Sequence, residues 1–435
     1  MIAFAVFLIL LISGHYISTV LFAAGIIGIY CLGGTQLLQG ALTTIPYSSV
    51  ASYTLSTVPL YILMAQFIMK AGIIEDLYSL VYKLSNGKKG PLGIMTIILG
   101  GFLGAVSGSG TATAAGLAKI ATPELSRRGY SRPLSAAIAA SSGSLSAIIP
   151  PSTMIVLYGV TAQVSVAELF MAAFVPGILM IVVYCIVTLF YLKFAKSHDT
   201  SAELVSEDKS MLMGGGKTRG QYIFVVCAGM LIILVIFGGI YSGLCTPSEA
   251  GALGAFIGLI AAIASGRMSF VFLIDSLVDA VKTTAMTMTM VVGAGVFARF
   301  ITLSMLPKKI ISALGPLMKT PTFLLFIVLA IYFILFMLLD GTTPILMTVP
   351  ILLPLVLEAG YDAIWFGMLV AVSATVGIMT PPVGIAVYAV SGVTRIPSGQ
   401  IFRITTVYAI AAAVVVGGLI IFFPRLVSWL PGLLL

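Results

Sequence analysis

Two short runs of small polar residues interrupt an otherwise apolar chain: Ser107-Gly108-Ser109-Gly110 and Asp340-Gly341-Thr342-Thr343. Glycine lets the backbone leave helical geometry at such a break, freeing carbonyls at one half-helix end and N–H groups at the other. Carbonyls of this kind ligate cations, and helix N-termini attract anionic groups. Two proline pairs follow: Pro150-Pro151 after Ser141 to Ser146, and Pro381-Pro382 after Ser373 to Thr380. Proline removes a backbone donor, so carbonyls about one turn earlier lose their helical partner. Each tip, with the proline pair of its own half, offers an uncharged, oxygen-rich cage suited to a hard monovalent cation such as Na⁺. The structural alternatives are Gly-xxx-Gly packing at the tips and simple packed kinks at the prolines. A phosphate-cradling loop is excluded, because Gly110-Thr111-Ala112-Thr113 lacks the Gly-Lys-Ser/Thr ending.

Arg299 and Asp340 stand out as charges embedded in apolar sequence. Placing either on lipid at mid-bilayer costs roughly 2.5 to 3.5 kcal/mol on insertion scales, so such residues usually face a protein interior or a cavity. Each is a candidate for the substrate path. Alternatively, Arg299 snorkels from the end of its span, Asp340 caps the helix that follows, or the two form a bridge.

The tips and proline pairs belong to an internal repeat. Gly110 and Gly341, Pro123 and Pro354, Gly129-Tyr130 and Gly360-Tyr361, and the two proline pairs are all 231 residues apart (341 minus 110). Equivalent halves with broken helices are the mark of a secondary transporter. The loop after the first tip carries Lys119, Arg127, Arg128 and Arg132; its counterpart carries Glu358 and Asp362, with no Lys or Arg before Arg395. By the positive-inside rule the first loop faces the cytoplasm and the second the opposite side, so the repeat is inverted. Lys308, Lys309 and Lys319 fit this poorly, although interfacial lysines can snorkel. Ser109 aligns with Asp340, and that broken symmetry marks where substrate rather than cation is read.

Of 435 residues, 60% are hydrophobic and 8% charged, with mean hydropathy +1.17. Soluble domains carry about 25% charged residues. The chain therefore reads as an all-α, polytopic protein of the lipid bilayer, without the alternation of a membrane barrel. Its net charge of +8 lies between apolar runs, where it orients helices and implies no nucleic-acid partner. Four unpaired cysteines, no His-Glu-x-x-His, no Walker lysine and no Gly-x-Ser-x-Gly elbow exclude disulfide, metalloenzyme, ATP-driven and hydrolase readings. The first apolar run, Ile2 to Ile12, reads as a retained span rather than a removed signal.

At these motifs the chain resembles the large membrane subunit of tripartite ATP-independent periplasmic (TRAP) transporters. The matching elements are Arg127-Arg128-Gly129-Tyr130, Ile149-Pro150-Pro151-Ser152, Thr246-Pro247-Ser248-Glu249-Ala250-Gly251, Asp340 to Pro344 and Thr380-Pro381-Pro382-Val383-Gly384. The resemblance implies an elevator mechanism with scaffold and transport domains, Na⁺ coupling, and a bacterial inner-membrane location. It further implies a small membrane subunit on a separate chain and a periplasmic binding protein that delivers an organic acid such as a sugar acid, sialic acid for example, or a C4-dicarboxylate. A stand-alone inverted-repeat carboxylate transporter is the alternative. Carried over by position, one Na⁺ site falls at Ser107, Gly110, Ser146, Ile149 and Pro151, and the other at Gly341, Gly377, Thr380 and Val383; Ser152, Arg299 and Asp340 fall in the substrate path.

The expected organisation is a first repeat over 1–192, with scaffold helices 1–70, an arm 72–84, a re-entrant hairpin 92–122 and a broken helix 134–158. A cytoplasmic linker, 193–220, leads to the second repeat, 221–435, with scaffold helices 221–303, an arm 306–318, a hairpin 322–358 and a broken helix 362–392. Spans are expected over 18–36 and 285–303, with Phe270 to Lys282 a surface helix.

Overall fold

In hydrocarbon the backbone must close its own hydrogen bonds, and this chain does so entirely as helices among the residues described. A computed structural model describes residues 2–85, 89–194, 219–313, 320–339 and 341–434. Most of the expected linker, the end of the second arm and Asp340 lie outside the described residues. Seven of the described helices are long and apolar enough to cross a membrane.

The first half runs α1 (Ile2–Ile12), α2 (Ile17–Val50), α3 (Thr57–Lys70), α4 (Ile73–Leu84), α5 (Lys89–Ser107), α6 (Gly110–Arg127), α7 (Arg132–Ser144), α8 (Thr153–Ala162) and α9 (Val166–Phe194). The second runs α10 (Arg219–Ile233), α11 (Pro247–Ala264), α12 (Phe270–Leu303), α13 (Leu306–Ala313), α14 (Pro321–Leu338), α15 (Thr343–Glu358), α16 (Ala363–Gly377), α17 (Ile385–Thr394) and α18 (Ser398–Ala412). Local punctuation repeats with the halves. Ser131 Oγ caps α7 by accepting from the Leu134 N–H at 3.4 Å, and Asp362 Oδ1 caps α16 by accepting from Trp365 at 2.8 Å. Gly129 and Gly360 leave the preceding helices at φ 82° and 87°, which a side chain would resist. Both proline pairs hold a cis peptide bond.

Two elements differ from expectation. The span expected over 18–36 opens a longer element, α2, in which Gly33 and Gly34 leave helical geometry before the helix resumes to Val50. The surface helix expected over Phe270 to Lys282 and the span expected over 285–303 are one helix, α12. Lys282-Thr283-Thr284-Ala285 contains no glycine or proline to stop it.

The helices form two groups. In one, α2 packs along α12, and α3 packs against α11 and α12. In the other, α5 and α6 close as a hairpin against α7, while α14 and α15 form its counterpart beside α16. Crosswise contacts interlock this second group: α6 lies on α17 of the other half, and α15 lies on α8. Between the groups, α3 bends by 60° into the amphipathic α4. Gly72 makes the corner at φ 62°. Arg267, from the α11–α12 turn, holds that corner by donating to the Ala71 carbonyl and pairing with Asp76 at 3.1 Å. Lys70 pairs with Asp279 of α12 at 2.6 Å nearby.

Arg267→Ala should lower the thermal midpoint in detergent, at a cost of roughly 1–3 kcal/mol, because the Asp76 side chain is only 8% exposed and loses the Arg267 guanidinium beside it. Lys70→Met should cost less, since its pair with Asp279 is 27% and 46% exposed. Equal losses in the two variants would show that burial of Asp76 is not what matters.

Candidate functional site

The first tip closes directly on the first proline break. Gly108, at φ 62°, turns the chain between α5 and α6. A methyl group built on Gly108 would lie 3.0 Å from Thr153 Oγ1 and 3.7 Å from the Pro151 carbonyl; one on Gly110 would lie 3.1 Å from Ser146 Oγ and 3.4 Å from the Gly143 carbonyl. Side chains are excluded there, so backbone oxygens come together. Ser107 Oγ bonds to Thr113 Oγ1, which also reaches the Ser109 carbonyl at 2.9 Å. Pro150 and Pro151 withhold the N–H groups that would reach the Ser146 and Ala147 carbonyls. Ala147 is satisfied by Ser152 Oγ, which donates to its carbonyl at 3.0 Å. Ser146 Oγ is buried and has no hydrogen-bond partner among the described residues. Ile149 continues the turn, its N–H donating to Leu145 at 2.9 Å.

The second break is closed by its own hairpin too, but through the end of α14. The Gly384 N–H donates to the Met337 carbonyl at 3.3 Å, and a methyl on Gly377 would lie 2.4 Å from Phe336 Cβ. Thr380 folds back, its N–H donating to Gly377 at 3.0 Å and its hydroxyl to Val376 at 2.6 Å. Val383 is half-buried beside it. Gly341 faces α8 instead, against Met154. The neighbouring Thr342 and Thr343 hydroxyls lie 3.9 and 3.8 Å from the Met290 sulfur on α12.

Arg299 and Ser152 are not brought together. Ser152 is fully buried at the break, whereas Arg299 is exposed on α12, about 13 Å along the axis from Met290. Arg299 makes no ion pair among the described residues. It sits one position from a cavity of about 890 Å³ that opens between the two helix groups. The walls come from the end of α2, the end of α8, α12 and α15, with polar groups at Ser49, Thr161, Gln163, Ser165 and Thr302 and, among the described residues, no charged side chain. The volume suits a small organic ligand. Sequence reasoning missed Thr113 and the whole cavity wall. Thr113 lies one turn beyond Gly110, which was a usable signal; the wall is assembled from four separated segments, which was not.

Spanning helices, paired hairpins closed on broken helices, and a polar cavity between two helix groups define a multi-pass membrane transporter. The chain belongs to the family described as tripartite ATP-independent periplasmic transporter, DctM component, whose model matches residues 4–426, and it is a large membrane subunit of that family. It is 31% identical to the 2,3-diketo-L-gulonate TRAP transporter large permease protein YiaN of Escherichia coli, over 79% of each chain. It is 30% identical to the isethionate TRAP transporter permease protein DctMQ of Oleidesulfovibrio alaskensis over 92% of this chain, and spans 61% of that longer protein. Its fold matches the Alcanivorax borkumensis YdaH transporter with a TM-score of 0.75 at 14% identity, covering 94% of this chain and 98% of that one. These relatives are named as transporters, not enzymes.

With the four native cysteines replaced, Ala298→Cys should react with a water-soluble maleimide, and Ala374→Cys, fully buried in α16, should not. Equal labelling of the two would mean that the cavity does not admit water.

Proposed function

We propose that this subunit carries out sodium-coupled uptake of an organic acid, with the hairpin group sliding against the α2–α12 group as an elevator. The observation that carries the reading is the buried, unpartnered Ser146 hydroxyl facing the Gly110 tip, beside carbonyls that proline has stripped of donors. An orphaned oxygen in an oxygen-rich, uncharged setting fits a hard monovalent ion. Ser107, Gly110, Ser146, Ile149 and Pro151 would hold one sodium ion, and Gly377, Thr380 and Val383 the other, while Gly341 faces Met154 of α8 instead. A sodium ion held by these residues would supply positive charge that offsets an anionic solute, and the sodium gradient across the membrane would drive its uptake.

By the positive-inside rule, charge in the loops supports an outer-side location for the ends of α8, α12 and α15. The cavity they line would then face the periplasm, where a binding protein delivers substrate. Arg299, adjacent to Gly295 and Thr302 on the surface of α12, would meet a carboxylate there. The tripartite description of the family supports two further components, a small membrane subunit and a binding protein. Relatives named for a sugar acid and for isethionate support a small anionic solute. The inner membrane is the corresponding location.

In proteoliposomes holding the full complex, uptake should require an inward sodium gradient and the binding protein; uptake without a binding protein would mean a stand-alone carrier. Ser146→Ala should raise the half-saturating sodium concentration about tenfold, equivalent to about 1.4 kcal/mol for one lost ligand. Arg299→Ala should lower uptake at least tenfold, with partial recovery in Arg299→Lys. Wild-type rates in Ser146→Ala and Arg299→Ala would remove both residues from the mechanism.

A further inference from the structure

The two candidate cages share a wall. Ile378, next to Gly377, sets its Cδ1 against the first tip, 2.9 Å from a methyl built on Gly110. Met379, next to Thr380, sets its sulfur 3.7 Å from Ser144 Oγ and 3.7 Å from the Tyr184 hydroxyl. Ser144 stands two residues before Ser146. Its hydroxyl lies 2.8 Å from the Ser141 carbonyl, to which it donates, leaving its oxygen to accept from Tyr184 at 3.2 Å. Ser144, Tyr184 and Met379 are all fully buried. On the far side, Thr405 Oγ1 donates to the Met379 carbonyl at 2.9 Å. The Tyr184 ring is braced edge-on by Tyr408, 5.5 Å between centroids. The repeat does not generate this bridge twice: at the same offset Tyr184 and Met379 correspond to Val415 and Ile148, which cannot donate a proton or accept one.

We propose that Tyr184 is a positioning residue that couples the two cation sites. Closing the first cage draws on the Leu145–Ser146 turn, and Tyr184 passes that shift to Met379 and hence to Gly377 and Thr380. In a close-packed interior such a shift is transmitted rather than absorbed. Site-to-site coupling typically changes affinity 5- to 150-fold. The proposal rests on the sodium reading above.

Hydrogen–deuterium exchange of the purified full chain, titrated with NaCl against choline chloride, reads the two cages separately and needs no transport. Peptides over residues 104–114 and 376–386 should gain protection together in the wild type, with a Hill slope above one. Tyr184→Phe keeps the ring and removes the hydroxyl. It should lower the slope to about one and raise the half-saturating sodium concentration about fivefold. Met379→Leu, acting from the other end of the bridge, should do the same. Tyr191→Phe, whose ring stacks on Tyr408 away from both cages, should behave as wild type. A cooperative wild-type response that survives both Tyr184→Phe and Met379→Leu overturns the coupling and leaves the sodium reading intact. A wild-type slope of one also overturns the coupling. Exchange that is indifferent to sodium in the wild type overturns both.

Discussion

The structure depends on one constraint: a broken helix inside a bilayer needs its stripped backbone groups satisfied by protein, solvent or ligand. Each orphaned group costs several kcal/mol, and this chain has two hairpin tips and two proline breaks. Four unsatisfied breaks would approach or exceed the roughly 5–15 kcal/mol that stabilises a whole domain. The breaks are therefore placed against one another. Gly108 and Gly110 meet Pro151 and Ser146, Met337 meets Gly384, and the helix beyond each break is covered by the second hairpin helix of the other half. The interlock of the two halves and the approach of each hairpin to its broken helix have the same cause.

Close approach makes that cluster stiff. A side chain on Gly143 would sit 2.5 Å from Ala114, and one on Gly104 would sit 2.9 Å from Ser146. Backbones packed this tightly move as a block, because voids that could absorb a shift are absent at those contacts. The weak surface is elsewhere, at the cavity between this block and the α2–α12 group. The arms bridging the two groups are unequal as well. Arg267 and Lys70 pin the α3–α4 corner, whereas the equivalent positions of the other arm, by the repeat, offer Gln36 and Ile301 in place of those cations.

Much of this was legible in the chain. Glycine and proline act locally, so Gly108 and Pro150-Pro151 announce their breaks within a few residues. The continuous α12 was not legible. Asp275, Asp279 and Lys282 make its first turns look like a surface helix, and the Lys70 partner that makes Asp279 acceptable comes from more than 200 residues away. Gly341 misleads for a similar reason. The repeat makes it equivalent to Gly110, but its surroundings are set by Met154 of the other half. Repeat symmetry predicts backbone breaks well and side-chain neighbours poorly, because the two halves pack on each other with different residues.

The described residues of the cavity wall carry no charge, and this bears on energetics. A fixed cation lining the path would bind a carboxylate tightly at one depth and hold it there, and a carrier needs the solute to leave. Hydroxyls and the Gln163 amide can exchange hydrogen bonds with water at little net cost, about 1 kcal/mol each, so they select without trapping. The charge problem would then pass to the block proposed to travel. A carboxylate crossing the bilayer alone faces a penalty of several kcal/mol or more, and a cation held in the same moving block lowers it by proximity. Cation sites in the hairpin group rather than the cavity wall, as proposed, would keep the neutralising charge with the solute throughout the proposed movement. Arg299, on the opposite helix group, could attract an anion at the mouth but could not accompany it.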